Sequence, residues 1–199
     1  MIGIIDYGAS NLLSILKAFS YLKKDTKVIK SPDEIKAINK MVLPGVGAFE
    51  TAVRGLKYAG LYDKILEWLK NNKPFLGICL GMQLLFEKSE ESEKTKGFGI
   101  LKGEVKSFKI LKTPQIGWNQ VSIVKKSKLF NSVQDGSFFY FIHSYYIKES
   151  DYNIRIGVTE YETNYTSAIE KDNICAVQFH PEKSGEIGLQ LLRNWIEKC

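Results

Sequence analysis

Residues 75–86 read FLGICLGMQLLF. The first four residues are apolar and predict a buried strand, while the apolar spacing of residues 82–86 favours a helix. Between these two segments, Cys79 lies two residues from Gly77 on one side and from Gly81 on the other. This stretch therefore predicts a strand that turns sharply into a helix, with a cysteine at the turn.

The chain before this stretch alternates between short apolar runs and amphipathic helices. Ser10 or Asn11 is a candidate cap for the first helix, and Ser31, Pro32 and Glu34 form a capping box. Predicted strands lie at residues 2–5, 28–29, 41–43 and 75–78, and predicted helices at residues 12–22, 49–58 and 61–70. Such alternation is typical of a parallel sheet with helices on both faces.

The pattern changes after residues 87–96, a charged segment that predicts a surface loop. Strand-like runs then follow with little helix between them, at residues 105–108, 121–124, 138–142, 154–159, 167–169 and 176–179. Residues 186–196 have the apolar stripe of an amphipathic helix. We therefore expect one α/β domain over residues 1–199, with a central, mostly parallel sheet flanked by helices and an added antiparallel β layer.

The composition excludes several classes of protein. No apolar run approaches the roughly 18 residues of a membrane span, and the segment after Met1 is too short for a signal-peptide core. We therefore expect a soluble, cytoplasmic protein without membrane contact. The net charge of +6 fits a solvated basic surface or a basic face for an acidic partner. No basic–aromatic motif indicates nucleic-acid binding.

The cysteines and histidines restrict the metal and redox chemistry. The cysteine count of 3 argues for reduced thiols rather than a disulfide framework. The cysteine spacings fit no zinc site, and the chain has only 2 histidines. We therefore expect no metal and no cofactor.

Cys79 has the sequence setting of a nucleophile. Glycines two residues either side of one nucleophilic side chain form the pattern of a nucleophile elbow, in which a strained turn leaves room only for small neighbours. The thiol projects at the carboxyl end of its strand, near the start of a helix whose dipole favours a thiolate. A cysteine buried in a strand–turn–helix corner is the alternative interpretation.

A second motif, QFHPE at residues 178–182, follows a strand-like run. Side chains two residues apart face the same side of an extended segment, so we expect His180 and Glu182 to point into one space. A carboxylate beside an imidazole fixes its tautomer and stabilises the imidazolium. Combined with a glycine-flanked cysteine, the motif predicts a catalytic pair.

A third motif, PGVGAF at residues 44–49, also stands at the end of a predicted strand. Its backbone N–H groups, together with the N–H of Leu80, suit a developing oxyanion. Pro-Gly occurs in turns of many kinds, so the motif alone is a weak indication. Its position supports a functional role, because open parallel sheets place their active sites at the carboxyl ends of the strands.

Together these motifs resemble the class I glutamine amidotransferases over nearly the whole chain. Within that class the sequence is most similar to the glutaminase subunits of imidazole glycerol phosphate synthases, which have valine between the loop glycines where other members have Pro-Gly-Gly. The matching segments are residues 4–8, 11–12, 43–49, 77–83, 116–119, 141–146 and 178–184. The resemblance implies the class I fold and hydrolysis of L-glutamine.

The resemblance also implies a role for each matching position. Cys79 is the implied nucleophile, His180 the general base and acid, and Glu182 its orienting carboxylate. The implied oxyanion donors are Val46, Gly47 and Leu80. The implied substrate contacts are Gly45, Gln83, Glu91, His143, Ser144 and Tyr145. The implied contacts with a partner subunit are Asn11, Trp118 and Lys183.

The implied partner is a (β/α)₈-barrel cyclase subunit, which forms a heterodimer with the glutaminase and uses its ammonia in histidine biosynthesis. One departure stands at Gln115, where many relatives carry histidine, and it suggests a divergent branch. Some paralogues instead supply ammonia to a cyclase-like partner that makes amidino groups on sugars, and the sequence leaves this alternative open. A non-catalytic scaffold and a free-standing cysteine peptidase are alternatives of other classes, which the intact motifs disfavour.

Overall fold

The computed structural model describes residues 1–8, 11–109 and 112–199. The strands of this part of the chain are Ile2–Ile5 (β1), Thr26–Ile29 (β2), Lys40–Gly45 (β3), Phe75–Cys79 (β4), Lys88–Ser89 (β5), Ser92–Lys96 (β6), Gly103–Ser107 (β7), Gln115–Ile123 (β8), Ser137–His143 (β9), Tyr145–Glu149 (β10), Arg155–Glu160 (β11), Asn164–Lys171 (β12) and Ile174–Val177 (β13). The α-helices are Leu12–Tyr21 (α1), Phe49–Tyr58 (α2), Tyr62–Lys70 (α3), Leu80–Gln83 (α4) and Gly185–Lys198 (α5). Short 3-10 helices span Pro32–Ala37, Tyr152–Ile154 and Pro181–Lys183.

The first half of the sheet is parallel, in the order β2-β1-β3-β4-β13. Strands β1, β3, β4 and β13 are short and buried on both faces, as expected when helices cover a parallel sheet from both sides, while the edge strand β2 is only partly buried. Helices α2 and α3 pack on one face, while α1 and α5 pack on the other. The predicted parallel core with helices on both faces is confirmed.

The second half of the sheet is mainly antiparallel. Strand β12 pairs with β13 and carries the sheet onward through β10 to β7, while β11 links β12 to the β8–β9 hairpin. The predicted antiparallel layer is therefore present, and it continues the same sheet. None of the helices in the described ranges is long and apolar enough to cross a membrane.

Three local expectations from the sequence differ from the structure. Residues 87–96 contain the β5–β6 hairpin rather than a loop, because its polar side chains sit on an exposed edge where the backbone alone pairs. The helix expected at residues 82–86 is instead the four-residue α4, which begins directly after Cys79. The capping box at Ser31 starts the 3-10 helix Pro32–Ala37.

The cap of α1 falls partly outside the described residues, since Ser10 is one of those not described. Asn11 occupies the N-cap position but makes no capping hydrogen bond with its side chain. Its side-chain nitrogen donates instead to the Ser14 hydroxyl, at 3.1 Å.

Candidate active site

The backbone at Cys79 has the strained conformation of an elbow. Its φ of 55° and ψ of −111° are rare for a residue with a side chain. A Cβ atom at Gly77 would lie 2.7 Å from the Gly81 carbonyl oxygen, and one at Gly81 would collide with the Leu43 carbonyl. Both positions therefore require glycine, and the turn aims the Cys79 side chain off the carboxyl end of β4.

His180 and Glu182 form a buried pair beside this elbow. The His180 Nδ1 atom lies 2.8 Å from a Glu182 carboxylate oxygen, and both side chains are at most 2% exposed. The contact expected from the sequence is present, but the backbone that makes it differs, because Pro181–Lys183 forms a 3-10 turn instead of an extended segment. The turn is held by the Ser184 hydroxyl, which donates to the His180 carbonyl at 2.6 Å.

The electrostatics of this pair favour a protonated imidazole. Burial alone lowers the pKa of His180, but the Cys79 sulfur and the Glu182 carboxylate outweigh it and raise the pKa from 6.5 to about 10. The Nε2 atom has no hydrogen-bond partner among the described residues, which leaves it available to a substrate atom. The raised pKa places an imidazolium beside the Cys79 sulfur at neutral pH, and a neighbouring cation favours a thiolate over a thiol.

A cavity of about 340 Å³ opens at Cys79. Its volume suits an amino-acid side chain with its α-carbon groups. The lining residues are Val46, Gly47, Cys79, Leu80, Gln83, Glu91, Pro114, Ile142, His143, Ser144 and Tyr145. Nine of the residues proposed from the sequence lie here, together with Pro114 and Ile142, which the sequence did not indicate.

Gly45 is a proposed substrate residue that does not line the cavity. It ends β3 opposite Cys79 in the sheet register, and a Cβ atom there would lie 2.6 Å from the Tyr7 hydroxyl oxygen. That hydroxyl is buried and without a hydrogen-bond partner among the described residues. The next residues, Val46 and Gly47, leave the strand and reach the cavity, with Gly47 at a φ of 92°.

Two proposed substrate residues also make contacts within the protein. The Glu91 carboxylate accepts the Phe49 N–H at 2.7 Å, which ties the β5–β6 hairpin to the start of α2. The Gln83 side-chain nitrogen donates to the Tyr145 carbonyl at 3.0 Å and to the Gln178 side-chain oxygen at 3.1 Å. Both of its hydrogens are used, so only the amide oxygen of Gln83 remains for a substrate.

His143 is held neutral behind the cavity. Its Nδ1 lies 2.8 Å from the Tyr145 carbonyl, and its Nε2 lies 3.2 Å from the Tyr165 hydroxyl. Burial lowers the pKa of His143 from 6.5 to about 4, although the bond to the carbonyl acts in the opposite direction. The Gln115 side-chain oxygen lies 2.9 Å from the Tyr165 hydroxyl and so joins this buried network. The residue that differs from the histidine of many relatives therefore has a structural contact near the site.

The opposite pKa shifts of the two histidines can be measured directly. We expect the ring signals in an NMR titration to separate, with His143 titrating near pH 4 and His180 near pH 10. In Cys79→Ala, the pKa of His180 should fall by about one unit or more because the sulfur charge is lost, while that of His143 stays low. An unchanged His180 pKa in this variant would contradict the thiolate–imidazolium pair.

The same shifts set a pH window for stability. The raised pKa of His180 stabilises the folded protein fully below pH 6.5, and this contribution is lost as the pH rises through about 10. The depressed pKa of His143 contributes above pH 6.5 and is lost as the pH falls through about 4.

The other two cysteines lie together at the opposite end of the sheet. The Cys175 and Cys199 sulfurs are 3.7 Å apart, and the Glu170 carboxylate lies within 4.8 Å of both. The sequence spacing gave no sign of this cluster. Lys128 and Lys40 act on the Cys199 sulfur electrostatically, which opposes the binding of a cation.

Trp118 and Lys183, two of the three residues proposed for a partner interface, lie at one exposed apolar face. Trp118 on β8 is 56% exposed, and its cross-strand neighbour Tyr140 on β9 lies beneath the Lys183 ammonium at 5.7 Å from the ring centroid. Other exposed apolar side chains of the same hairpin are Ile116, Phe138 and Ile142. We call these residues, with Trp118 and Tyr140, the hairpin face.

The comparison with protein families covers almost the whole chain, including the elbow, the buried pair and the cavity. The model of the family "glutamine amidotransferase class-I" matches residues 3–199. The chain therefore belongs to the class-I glutamine amidotransferase family, as its sequence motifs predicted.

Curated relatives match the chain over its full length. The imidazole glycerol phosphate synthase subunit HisH of Caldanaerobacter subterraneus subsp. tengcongensis is 47% identical, covering 100% of both chains. The protein of the same name from Methanocaldococcus jannaschii is 48% identical, covering 99% of each. A crystal structure of a glutamine amidotransferase matches at a TM-score of 0.78 with 14% identity, covering 98% of this chain and 97% of that one, which shows a shared fold.

Proposed function

We propose that this chain is the glutaminase subunit of an imidazole glycerol phosphate synthase, with residues 1–199 acting as one domain. The observation that carries the proposal is the cavity at Cys79, an amino-acid-sized space that opens at a nucleophile elbow beside a buried His180–Glu182 pair. The free state of Cys79, Cys175 and Cys199 fits a reducing compartment and supports a cytoplasmic location.

The first half-reaction releases ammonia. The Cys79 thiolate attacks the side-chain carbonyl carbon of glutamine, and the carbonyl oxygen takes up the negative charge. Backbone N–H groups at Val46, Gly47 and Leu80 bind this oxyanion. The His180 imidazolium then gives its proton to the amide nitrogen, so the C–N bond breaks and leaves a γ-glutamyl thioester.

The second half-reaction restores the enzyme. Neutral His180 takes a proton from water as its oxygen attacks the thioester carbon. The tetrahedral intermediate collapses with cleavage of the C–S bond, releasing glutamate and returning the thiolate beside a protonated imidazole. Glu182 stabilises the positive ring at the start and end of this cycle, because it is the buried negative group in contact with Nδ1.

The ammonia leaves toward a partner at the hairpin face. The Cys79 sulfur lies 3.8 Å from the backbone carbonyl of Ile142, whose side chain is 36% exposed on that face. An exposed set of large apolar side chains marks a docking surface, and Lys183 provides a polar contact at its edge. Asn11 remains a further proposed contact with the partner. The proposed partner is a (β/α)₈-barrel cyclase, which joins the ammonia to a phosphorylated ribulosyl-carboxamide nucleotide.

The proposal is tested by mixing the chain with candidate cyclases. We expect glutamate release to rise with the histidine-pathway cyclase and its nucleotide ligand, and imidazole glycerol phosphate to form from glutamine. If only a cyclase of the amidino-sugar type binds and activates the chain, the acceptor is a sugar intermediate instead. An active complex that forms imidazole glycerol phosphate from ammonium salts but never from glutamine would contradict the proposed function.

Glu182→Gln should weaken the reaction without abolishing it. The glutamine oxygen can still accept the Nδ1–H of His180, but a neutral amide cannot stabilise the imidazolium. We expect kcat/KM for glutamine to fall about tenfold to a hundredfold, with a larger loss for His180→Ala. Glu186→Gln, at an exposed position in the first turn of α5, is the matched control and should keep wild-type activity. If Glu182→Gln kept the wild-type kcat/KM, the Glu182 carboxylate would have only a structural role.

A further inference from the structure

Gln178 has no role among those proposed above, yet its side chain touches the nucleophile. The residue is 0% exposed and directly follows β13. Its side-chain nitrogen lies 3.5 Å from the Cys79 sulfur, and its side-chain oxygen accepts the Gln83 amide at 3.1 Å. The side chain therefore bridges a proposed substrate residue and the reacting atom.

The hydrogen-bond network dictates which end of the Gln178 amide faces the sulfur. The Tyr145 carbonyl can only accept, so the nitrogen of Gln83 must be the atom that faces it at 3.0 Å. The second hydrogen of that nitrogen then needs an acceptor, which is the oxygen of Gln178. The nitrogen of Gln178 is left on the other side, where it donates to Cys79.

The Tyr145 carbonyl is itself fixed by a second donor. The His143 Nδ1–H binds the same oxygen at 2.8 Å, and the low pKa of His143, about 4, keeps the ring neutral. Two donors from separate elements thus hold this carbonyl. The fixed carbonyl orients the Gln83 amide, which in turn orients the amide of Gln178.

Apart from the His180 imidazolium, whose charge also favours the thiolate, the remaining contacts of the sulfur do not replace this donor. The Ile142 carbonyl, 3.8 Å away, can only accept a hydrogen bond and so favours the protonated thiol. Helix α4 has only four residues, so its dipole is too small to support the thiolate as the sequence suggested. Cys79 is only 6% exposed, so water contributes little to stabilising a charge there.

We propose that Gln178 is a catalytic residue of the glutaminase, which holds Cys79 as a thiolate by donating a side-chain N–H to its sulfur. This inference rests on the proposed function and deepens it. The donor acts twice in the cycle, once on the attacking thiolate and once on the thiolate that leaves when the thioester is cleaved. A hydrogen bond to a charged acceptor is roughly twice as strong as one to a neutral acceptor, so the bond weakens in the neutral thioester between these steps.

The test measures the reactivity of Cys79 toward iodoacetamide in the full-length chain, across a range of pH and without glutamine. Labelling is measured at each cysteine by peptide mass spectrometry, with Cys199 as an internal reference in the same molecule. Gln178→Met keeps the length of the side chain and removes the donor, so we expect Cys79 to react at least about tenfold more slowly at pH 7. Gln178→Glu places a carboxylate against the sulfur and should slow the alkylation of Cys79 further.

One control and one further variant separate the proposed donor from packing. Gln134→Met changes an exposed glutamine in the same way and should leave the Cys79 rate unchanged. Gln83→Met leaves Gln178 in place but frees its amide to rotate, so it too should slow Cys79; this variant decides the question if the Gln178 variants do not fold. If Gln178→Glu were tolerated better than Gln178→Met, the role would be one of shape.

The inference is overturned if folded Gln178→Met and Gln178→Glu react at the wild-type rate with an unchanged pH midpoint. Because alkylation needs neither glutamine nor a partner, this result would leave the glutaminase assignment standing. The converse result is that the Gln178 variants are alkylated more slowly, as expected, while the wild-type protein releases no glutamate with any cyclase. That result would overturn the proposed function alone.

Discussion

Cys79→Ser is expected to abolish glutamate release, with a loss of about 10⁴- to 10⁶-fold in kcat. A serine hydroxyl at this position is far less nucleophilic than the thiolate. The substitution also removes the negative charge that faces the His180 imidazolium. The variant should fold normally, because the elbow backbone and the two glycines that it needs are unchanged. Steady-state glutamate release by the complex with its cyclase measures the effect.

The same variant gives an internal control for assembly. The complex of Cys79→Ser with the cyclase should still form product from ammonium salts, because the acceptor site lies on the other subunit. Cys199→Ser is the matched substitution at a cysteine far from the cavity and should retain glutamine-dependent activity. Glutamine-dependent turnover in Cys79→Ser would refute the assignment of the nucleophile.

The second large effect concerns control by the partner. We expect the isolated chain to release glutamate at least about a hundredfold more slowly than the complex with the nucleotide ligand, because we infer that the free chain keeps one oxyanion donor turned away. The reason lies at Val46, which is β-branched and keeps a negative φ, while its neighbour Gly47 takes the positive one. Val46 thus resists the peptide rotation that turns an N–H toward the oxyanion, and contact with a ligand-bound partner supplies the difference in free energy.

Val46→Gly separates this explanation from simple partner-induced folding. A glycine removes the restriction on φ, so basal glutamate release should rise and the response to the nucleotide ligand should shrink. Val124→Gly, another exposed valine, is the matched control and should leave the ratio of activated to basal rate unchanged. Full activity of the wild-type chain without a partner would show that the loop is already productive.

The sequence predicted those parts of the fold in which local pattern and burial agree. Each strand of the parallel half contains a continuous apolar run, although in β2 this run is only Val28 and Ile29, and α1, α2, α3 and α5 each carry an apolar stripe. Both kinds of element were therefore located to within a few residues. The β5–β6 hairpin was not predicted from the sequence, because its side chains are polar and mostly exposed and its pairing depends on the backbone of β7. Helix α4 was misplaced because the chain leaves the helix after one turn, where Leu84, Leu85 and Phe86 remain buried and preserve an apolar pattern.

The candidate site divides in a similar way. The elbow and the histidine–glutamate pair are short motifs, so their residues could be named before the structure was known. The bridge through Gln178 depends on the parallel pairing of β13 with β4, which aligns Val177 with Ile78 and places two distant segments side by side. The orientation of its amide depends further on the Tyr145 carbonyl, a backbone atom that a one-dimensional pattern does not distinguish from any other.

The position of β13 has a consequence for the order in which the protein folds. This strand inserts between β4 and β12, and its pairing with β4 joins segments separated by about a hundred residues of chain. Closing so long a loop is entropically costly, so β13 is expected to dock late, after the sheet on either side has formed. His180 and Glu182 follow β13 directly and arrive with it. During synthesis the nucleophile therefore emerges well before its base, and the growing chain cannot release ammonia until β13 has docked.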